Sequence, residues 1–220
     1  MRRTLVFGLV MTFLVGGGSA WAQNGGFQQY EKSGESYARG LAAAQRGKTE
    51  AARTHFDRAV QLDGEFIEAM VNLARLHFEA GEIQKATQWL DRAATIRTDY
   101  PELHKVRALI ALEEERPHDA IVFLMRARKL APEDVEVLVN LGAAYLELGV
   151  LDEAQGVLKQ SLRLEPSCAP CLLNLGLVAD HRGEFTRGRF LYQRFLGVVG
   201  NDHPDRQAVL ERLELLEAGK

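Results

Sequence analysis

In the stretch Val135–Pro166, VEVLVNLGAAYLELGVLDEAQGVLKQSLRLEP, apolar residues return every three or four positions, first through Leu138, Leu141 and Tyr145, then through Ala154 and Leu158. That period places them on one face of a helix and leaves the other face polar. Gly149 separates the two bursts, so the stretch predicts two amphipathic helices joined by a short turn. Displaced by 34 residues in either direction, the pattern returns. From Ser33 the frame runs without insertion to Asp202, in blocks 33–66, 67–100, 101–134, 135–168 and 169–202. Repetition at such a period signals a stack of like units, each burying its apolar face against its neighbours.

Within the blocks, size recurs as well as polarity. Ala74, Ala108, Gly142 and Gly176 stand at one position and Ala52, Ala86, Ala120, Ala154 and Gly188 at another. Small residues there let two antiparallel helices approach closely, and the large residues between them fill the layers. The turns carry Gly47, Gly81, Gly149 and Gly183, where a left-handed residue ends a helix at little cost. The third block has Glu115-Arg116-Pro117 instead, and Pro117 suits the first turn of a helix. Pro132 and Pro166 stop second helices. The first block is the most degenerate, with Ser36 and Arg39 where bulky apolar residues are expected, as for a terminal unit with solvent on one side. Beyond Asn201-Asp202-His203-Pro204, residues Val209, Leu213 and Leu216 share a face. They predict a C-terminal capping helix within 203–220, with Asp205 as its N-cap.

The recurring residues resemble the tetratricopeptide repeat family, whose pattern is W-x2-L-G-x2-Y, then A-x3-F, then P. The fourth block matches it with Leu138, Leu141-Gly142, Tyr145, Ala154, Leu158 and Pro166. The fifth gives Leu172, Leu175-Gly176, Ala179, Gly188, Tyr192 and Phe195, and the third His104, Arg107-Ala108, Ala111, Ala120, Leu124, Ala127 and Pro132. The second gives Met70, Leu73-Ala74, His77, Ala86, Leu90 and Ala93, and the first Ser36, Arg39-Gly40, Ala43, Ala52, Phe56 and Ala59. The resemblance covers about 170 of the 220 residues. It implies an all-α, right-handed superhelix (an α-solenoid) of five helix-turn-helix repeats plus the capping helix.

The N-terminus is a different kind of sequence. Arg2 and Arg3 precede an apolar run, Leu5–Val15, within the roughly 7–15 residues of a secretory signal core and short of the roughly 20 that span a bilayer. Gly16-Gly17-Gly18-Ser19 and Ala20-Trp21-Ala22 follow, so residues 1–22 read as a signal peptide cleaved after Ala22. Residues 23–32 read as a flexible lead-in, helical from about Gln28. The protein is then expected in the periplasm or outside the cell, with no membrane span after cleavage. Composition is that of an ordinary globular chain, 46% hydrophobic and 26% charged, and a net charge of −3 with no basic stripe argues against nucleic acid.

Little in the chain suggests catalysis. The two cysteines form Cys168-Ala169-Pro170-Cys171, a spacing used in thiol–disulfide exchange, but no strand pattern supports the βαβ frame on which such motifs sit. Leu172 stands where haem attachment needs His, and zinc lacks ligands beyond the distant His181. In an oxidising compartment a local disulfide clamping the junction of the fourth and fifth blocks is the expected reading, contributing about 1–2 kcal/mol across so small a loop. Reduced thiols, and redox or metal chemistry, are the alternatives. His77 and His104 occupy packing positions, whereas His55, His118, His181 and His203 fall where exposure is expected. No cofactor is expected.

In the family the first helices of successive repeats line a concave face. The resemblance therefore implies a partner-binding groove formed by Val71, Asn72, Arg75 and Phe78, by Lys105, Leu109 and Leu112, by Val139, Asn140 and Leu146, and by Leu173, Asn174 and Leu177. Tyr37, Leu41, Ala44, Ala143 and Asp180 share that register. The middle of the stripe is apolar, as at binding surfaces, and the three asparagines could anchor a guest backbone. The two-Lys, Asn and Arg clamp that some members use for a terminal carboxylate is absent, because Leu109 stands where it needs Asn. The expected function is a non-catalytic scaffold that binds a peptide or protein partner of envelope assembly machinery. It would be similar to type IV pilus pilotins or the repeat subunits of cytochrome c maturation. The alternative is a redox protein using Cys168 and Cys171. Self-association through the groove or the capping helix is a third reading.

Overall fold

The structure, a computed structural model, describes residues 26–218. The signal segment and the expected cleavage site after Ala22 lie outside the described residues. Among the described residues the regular structure is entirely α-helical: α1 (Gly26–Gln45), α2 (Thr49–Leu62), α3 (Ile67–Glu79), α4 (Ile83–Ile96), α5 (Pro101–Glu113), α6 (Pro117–Leu130), α7 (Val135–Glu147), α8 (Leu151–Leu164), α9 (Ala169–His181), α10 (Phe185–Val198) and α11 (Arg206–Glu217). They form five helix-turn-helix pairs and a closing helix. No helix among them is long and apolar enough to cross a membrane. The chain divides into two compact units, one ending at Met70 and the other beginning at Val71.

The first unit holds the pair α1–α2. Helix α1 starts at Gly26, ahead of the Gln28 expected, and runs unbroken through the start of the first block. Phe56 is fully buried over Gly40, where an added Cβ would sit 2.5 Å from Phe56 Cε1. Tyr37 packs against Phe56 and Phe66, with ring centroids 5.6 and 5.0 Å apart. Ser36 is not turned to solvent, as its terminal block suggested. It is buried, and its Oγ donates to the His55 carbonyl at 3.1 Å, which satisfies a hydroxyl that would be costly to bury alone.

The second unit repeats one construction. First helices have 13 residues and second helices 14. A small residue of the first helix receives a large side chain of the second. A Cβ on Gly142 would lie 2.5 Å from Leu158 Cδ2, and one on Gly176 would lie 2.8 Å from Tyr192 Cδ1. Ala74, Ala86, Ala108, Ala120 and Ala154 are all completely buried. The core continues from Ala108 through Leu138, Leu158, Leu172 and Phe195 to Val209, Leu213 and Leu216 of α11. Fully burying a side chain such as Leu158 is worth about 1.5–3 kcal/mol, so each layer stabilises the next.

The turns share one geometry. Gly81, Gly149 and Gly183 take φ of 73°, 69° and 70°. At Gly149 the chain closes with Gly149 N donating to Leu146 O at 2.9 Å and Val150 N to Tyr145 O at 2.8 Å, which satisfies carbonyls the helix leaves open. The third pair makes the same bonds without glycine: Glu115 N donates to Leu112 O at 3.0 Å and Arg116 N to Ala111 O at 2.8 Å, with Glu115 at φ 55°. Asp134 caps α7, its carboxylate accepting from Val137 N at 3.1 Å. Asp205 does not cap α11. Its backbone is already helical (φ −83°, ψ −4°), its side chain accepts no backbone N–H, and its own N–H donates to His203 Nδ1 at 3.2 Å.

Candidate binding face

In the second unit the first helices divide into two sides. Leu103, Val106, Leu138, Leu141, Leu172 and Val178 are closed into the core. Phe78, Leu109, Leu112, Val139, Leu146 and Leu173 are only partly buried, and Leu177 is 37% exposed. Asn72, Asn140 and Asn174 are partly buried beside them. Most of the expected stripe residues thus stay partly open to solvent on α3, α5, α7 and α9. Two members differ. Val71 is buried to 2% exposure and offers no surface. Lys105 is 6% exposed and already engaged.

Lys105 lies at the centre of an ionic network. Its Nζ is 2.6 Å from Glu136 Oε2, 3.0 Å from Asp134 Oδ2 and 3.6 Å from Glu102 Oε1. The other oxygen of Glu136 pairs with Arg75 at 3.5 Å. One carboxylate of α7 therefore holds a cation of α5 and a cation of α3. Burial opposes the Lys105 charge, but the hydrogen bonds of Glu136 and Asp134 outweigh it and hold its ammonium above the ordinary lysine range. The network also joins the three helices on the face that carries the stripe. The anchors escaped sequence reading because they meet across repeats. The available signal was the return of Glu68, Glu102 and Glu136 at the second position of successive blocks.

Asp180 shares the groove register but points its chemistry elsewhere. Its Oδ2 accepts from Tyr192 Oη at 2.8 Å and from Arg212 Nε at 2.7 Å, tying α9 to α10 and α11. Burial, and then the Asp180 carboxylate, push the Tyr192 phenol far above its usual range. On another edge, Glu82 Oε2 lies 2.5 Å from His77 Nδ1 and Glu82 Oε1 lies 2.8 Å from Lys85. The hydrogen bond from Lys85, and then that with His77, hold the Glu82 carboxyl down to about 2.

Cys168 and Cys171 lie with their Sγ atoms at bonding distance and their Cα atoms 5.3 Å apart. Cys168 is the N-cap of α9, its Sγ accepting from Cys171 N at 3.2 Å, and the Ser161 hydroxyl sits 3.1 Å from Cys171 Sγ. Exposure is 4% for Cys168 and nil for Cys171, so neither sulfur faces an incoming thiolate. Among the described residues no group of three or more His, Cys, Asp or Glu could hold a metal ion.

Comparison with known proteins agrees with this architecture. The profile of the tetratricopeptide repeat matches residues 43–110 and 111–172. The human protein O-mannosyl-transferase TMTC1 is 24% identical over 175 residues, which is 78% of this chain but 19% of that protein. The chain thus spans about a fifth of the length of that relative. Among solved structures, PilF of Pseudomonas aeruginosa superposes with a TM-score of 0.73 at 22% identity, covering 87% of this chain and 90% of that one. PilW, described as a widely conserved type IV pilus biogenesis factor, gives a TM-score of 0.71 at 16% identity over 85% and 91% of the two chains. The profile covers more than half of the sequence, and the solved structures share the helix-pair solenoid, so the chain belongs to the tetratricopeptide repeat family.

Proposed function

We propose that this protein is a non-catalytic scaffold that holds a peptide or protein partner on the face of α3, α5, α7 and α9. The carrying observation is the row of aliphatic side chains left partly open there, Leu109, Leu112, Val139, Leu146, Leu173 and Leu177, while their helix neighbours are closed into the core. Apolar side chains left partly open to water along one row are stabilised by being covered. Asn140 and Asn174 lie beside it with no side-chain partner among the described residues, which leaves their amides for a guest backbone. Arg75 joins the margin of this groove but is tied to Glu136. The place of action is the bacterial envelope. The N-terminal sequence of a secretory signal supports this, and the fold shared with PilF and PilW is compatible with work in envelope assembly.

The same reading makes Cys168 and Cys171 a structural disulfide that pins the start of α9. Their burial within the α8–α9 junction favours this over exchange chemistry. The test is a pull-down from periplasmic extract with the wild-type chain and Leu109→Asp/Leu146→Asp. Specific partners should disappear with the variant while its helical circular dichroism is kept. An unchanged partner set would refute the assignment of the groove.

A further inference from the structure

The groove carries a second pattern, one of charge. Its basic side chains, Arg75 and Lys105, are both neutralised inside the chain by Glu136, Asp134 and Glu102. An acidic guest would have to break an ion pair that already exists. Along the other margin the charge is unspent. Helices α3, α5 and α7 end on Glu79, Glu113 and Glu147, all exposed and none in an ion pair among the described residues. Each directly follows a stripe residue, Phe78, Leu112 or Leu146, and so lies about 100° round the helix from it. A carboxylate at a helix C-terminus is disfavoured, because it adds to the negative end of the backbone dipole. The last turns of α5 and α7 contain no basic residue to offset this. Three of the four first helices therefore keep a like charge where it destabilises its own helix, beside the partly open apolar strip, while the fourth, α9, ends on His181.

Building on the groove reading, we infer that the occupant is a cationic amphipathic protein segment. Its apolar side chains lie on Leu109, Leu112 and Leu146, and its Lys or Arg residues meet Glu79, Glu113 and Glu147. Such a guest supplies both what the strip lacks, apolar cover, and what the helix ends lack, positive charge.

Three synthetic amphipathic peptides test this by fluorescence anisotropy: one with leucines at helical spacing flanked by lysines, one with glutamates replacing the lysines, and one with serines replacing the leucines. The lysine–leucine peptide should bind at least about tenfold more tightly than either other, with affinity falling as salt rises. Glu79→Gln/Glu113→Gln/Glu147→Gln should weaken it about tenfold, as expected for three surface charge pairs, without lowering the melting temperature. The control Glu133→Gln/Glu153→Gln/Glu165→Gln, also at exposed carboxylates, should not weaken it. Equal binding of the lysine and glutamate peptides, or an equal loss in the control, would overturn the inference. If both peptides bind equally and Leu109→Asp/Leu146→Asp releases both, the groove stands and only its charge preference fails. If that variant releases neither, the groove reading itself fails. Absence of peptide binding overturns the inference, and a dimer in light scattering that the leucine variant dissolves would identify a second copy as the occupant.

Discussion

At the scale of single residues, Glu115 is the exception that exposes the rule of the turns. Its φ of 55° is held by the same pair of hydrogen bonds that glycine makes elsewhere, but a side chain in the left-handed region costs about 1–2 kcal/mol. Glu115→Gly should relieve this strain and raise stability by about 1 kcal/mol after the added freedom of the unfolded chain is counted. Gly149→Ala should lower stability by a similar amount, and thermal denaturation of both variants measures the contrast. Gly176 is constrained differently. Its missing Cβ is the space occupied by Tyr192, whose hydroxyl is fixed on Asp180, so the ring cannot swing aside freely. Gly176→Ala should cost about 1–3 kcal/mol, read as a lowered denaturant midpoint.

His104 sets a pH dependence. Burial, opposed by its bond to the Thr98 carbonyl at 2.8 Å and aided by Arg126 and Arg107, lowers its affinity for a proton, and its Nδ1 is buried with no partner. The unfolded chain therefore takes up the proton first as pH falls. This contribution to stability is complete above about 6.5 and is lost as pH drops from there toward the lower folded value. The melting temperature should fall on acidification in that window, and His104→Gln should reduce the fall. Glu82 acts in a lower window: its contribution is present above 4.5 and is lost as pH falls toward about 2.

At the scale of elements, the helix pairs were legible because their determinants are local and recur. Small residues at Gly142 and Gly176, large ones at Leu158 and Tyr192, and glycines at the turns each act within one pair. The features that escaped are those in which a side chain has a choice of partners. Asp205 reads as a cap by residue type, but its own backbone is already helical, and its carboxylate accepts no backbone N–H. Lys105 reads as a groove contact by register, yet carboxylates from its own helix and from the start of α7 claim it first. The start of α9 combines a cap and a short loop. Replacing Cys168 and Cys171 with serine should cost about 1–2 kcal/mol at most, because serine is itself a good N-cap. Partner capture should survive; its loss in a folded double variant would favour thiol chemistry.

At the scale of the whole molecule, the second unit is a series of layers, each covered by the next, and α11 covers the last. Val209, Leu213 and Leu216 are buried on that boundary, and Arg212 locks the helix to Asp180. A chain truncated after residue 202 should expose this apolar layer and associate, measured as a rise in mass by light scattering at a concentration where the full chain shows none. Arg212→Ala should weaken the docking of α11 more gently, seen as faster amide exchange in that helix than in α7.

The constant helix lengths of 13 and 14 have one more consequence, for how the chain can be edited. Excising residues 135–168 would join α6 to α9 through Asp134 with every later layer in phase, so by length alone the pair α7–α8 is expendable. By charge it is not. The excision puts Pro170 where Glu136 stood, leaving Arg75 without its carboxylate and Lys105 with only Asp134 and Glu102. The repeats are interchangeable as spacers and not as neighbours, so a shortened or shuffled array would need its ion pairs rewritten along with its length.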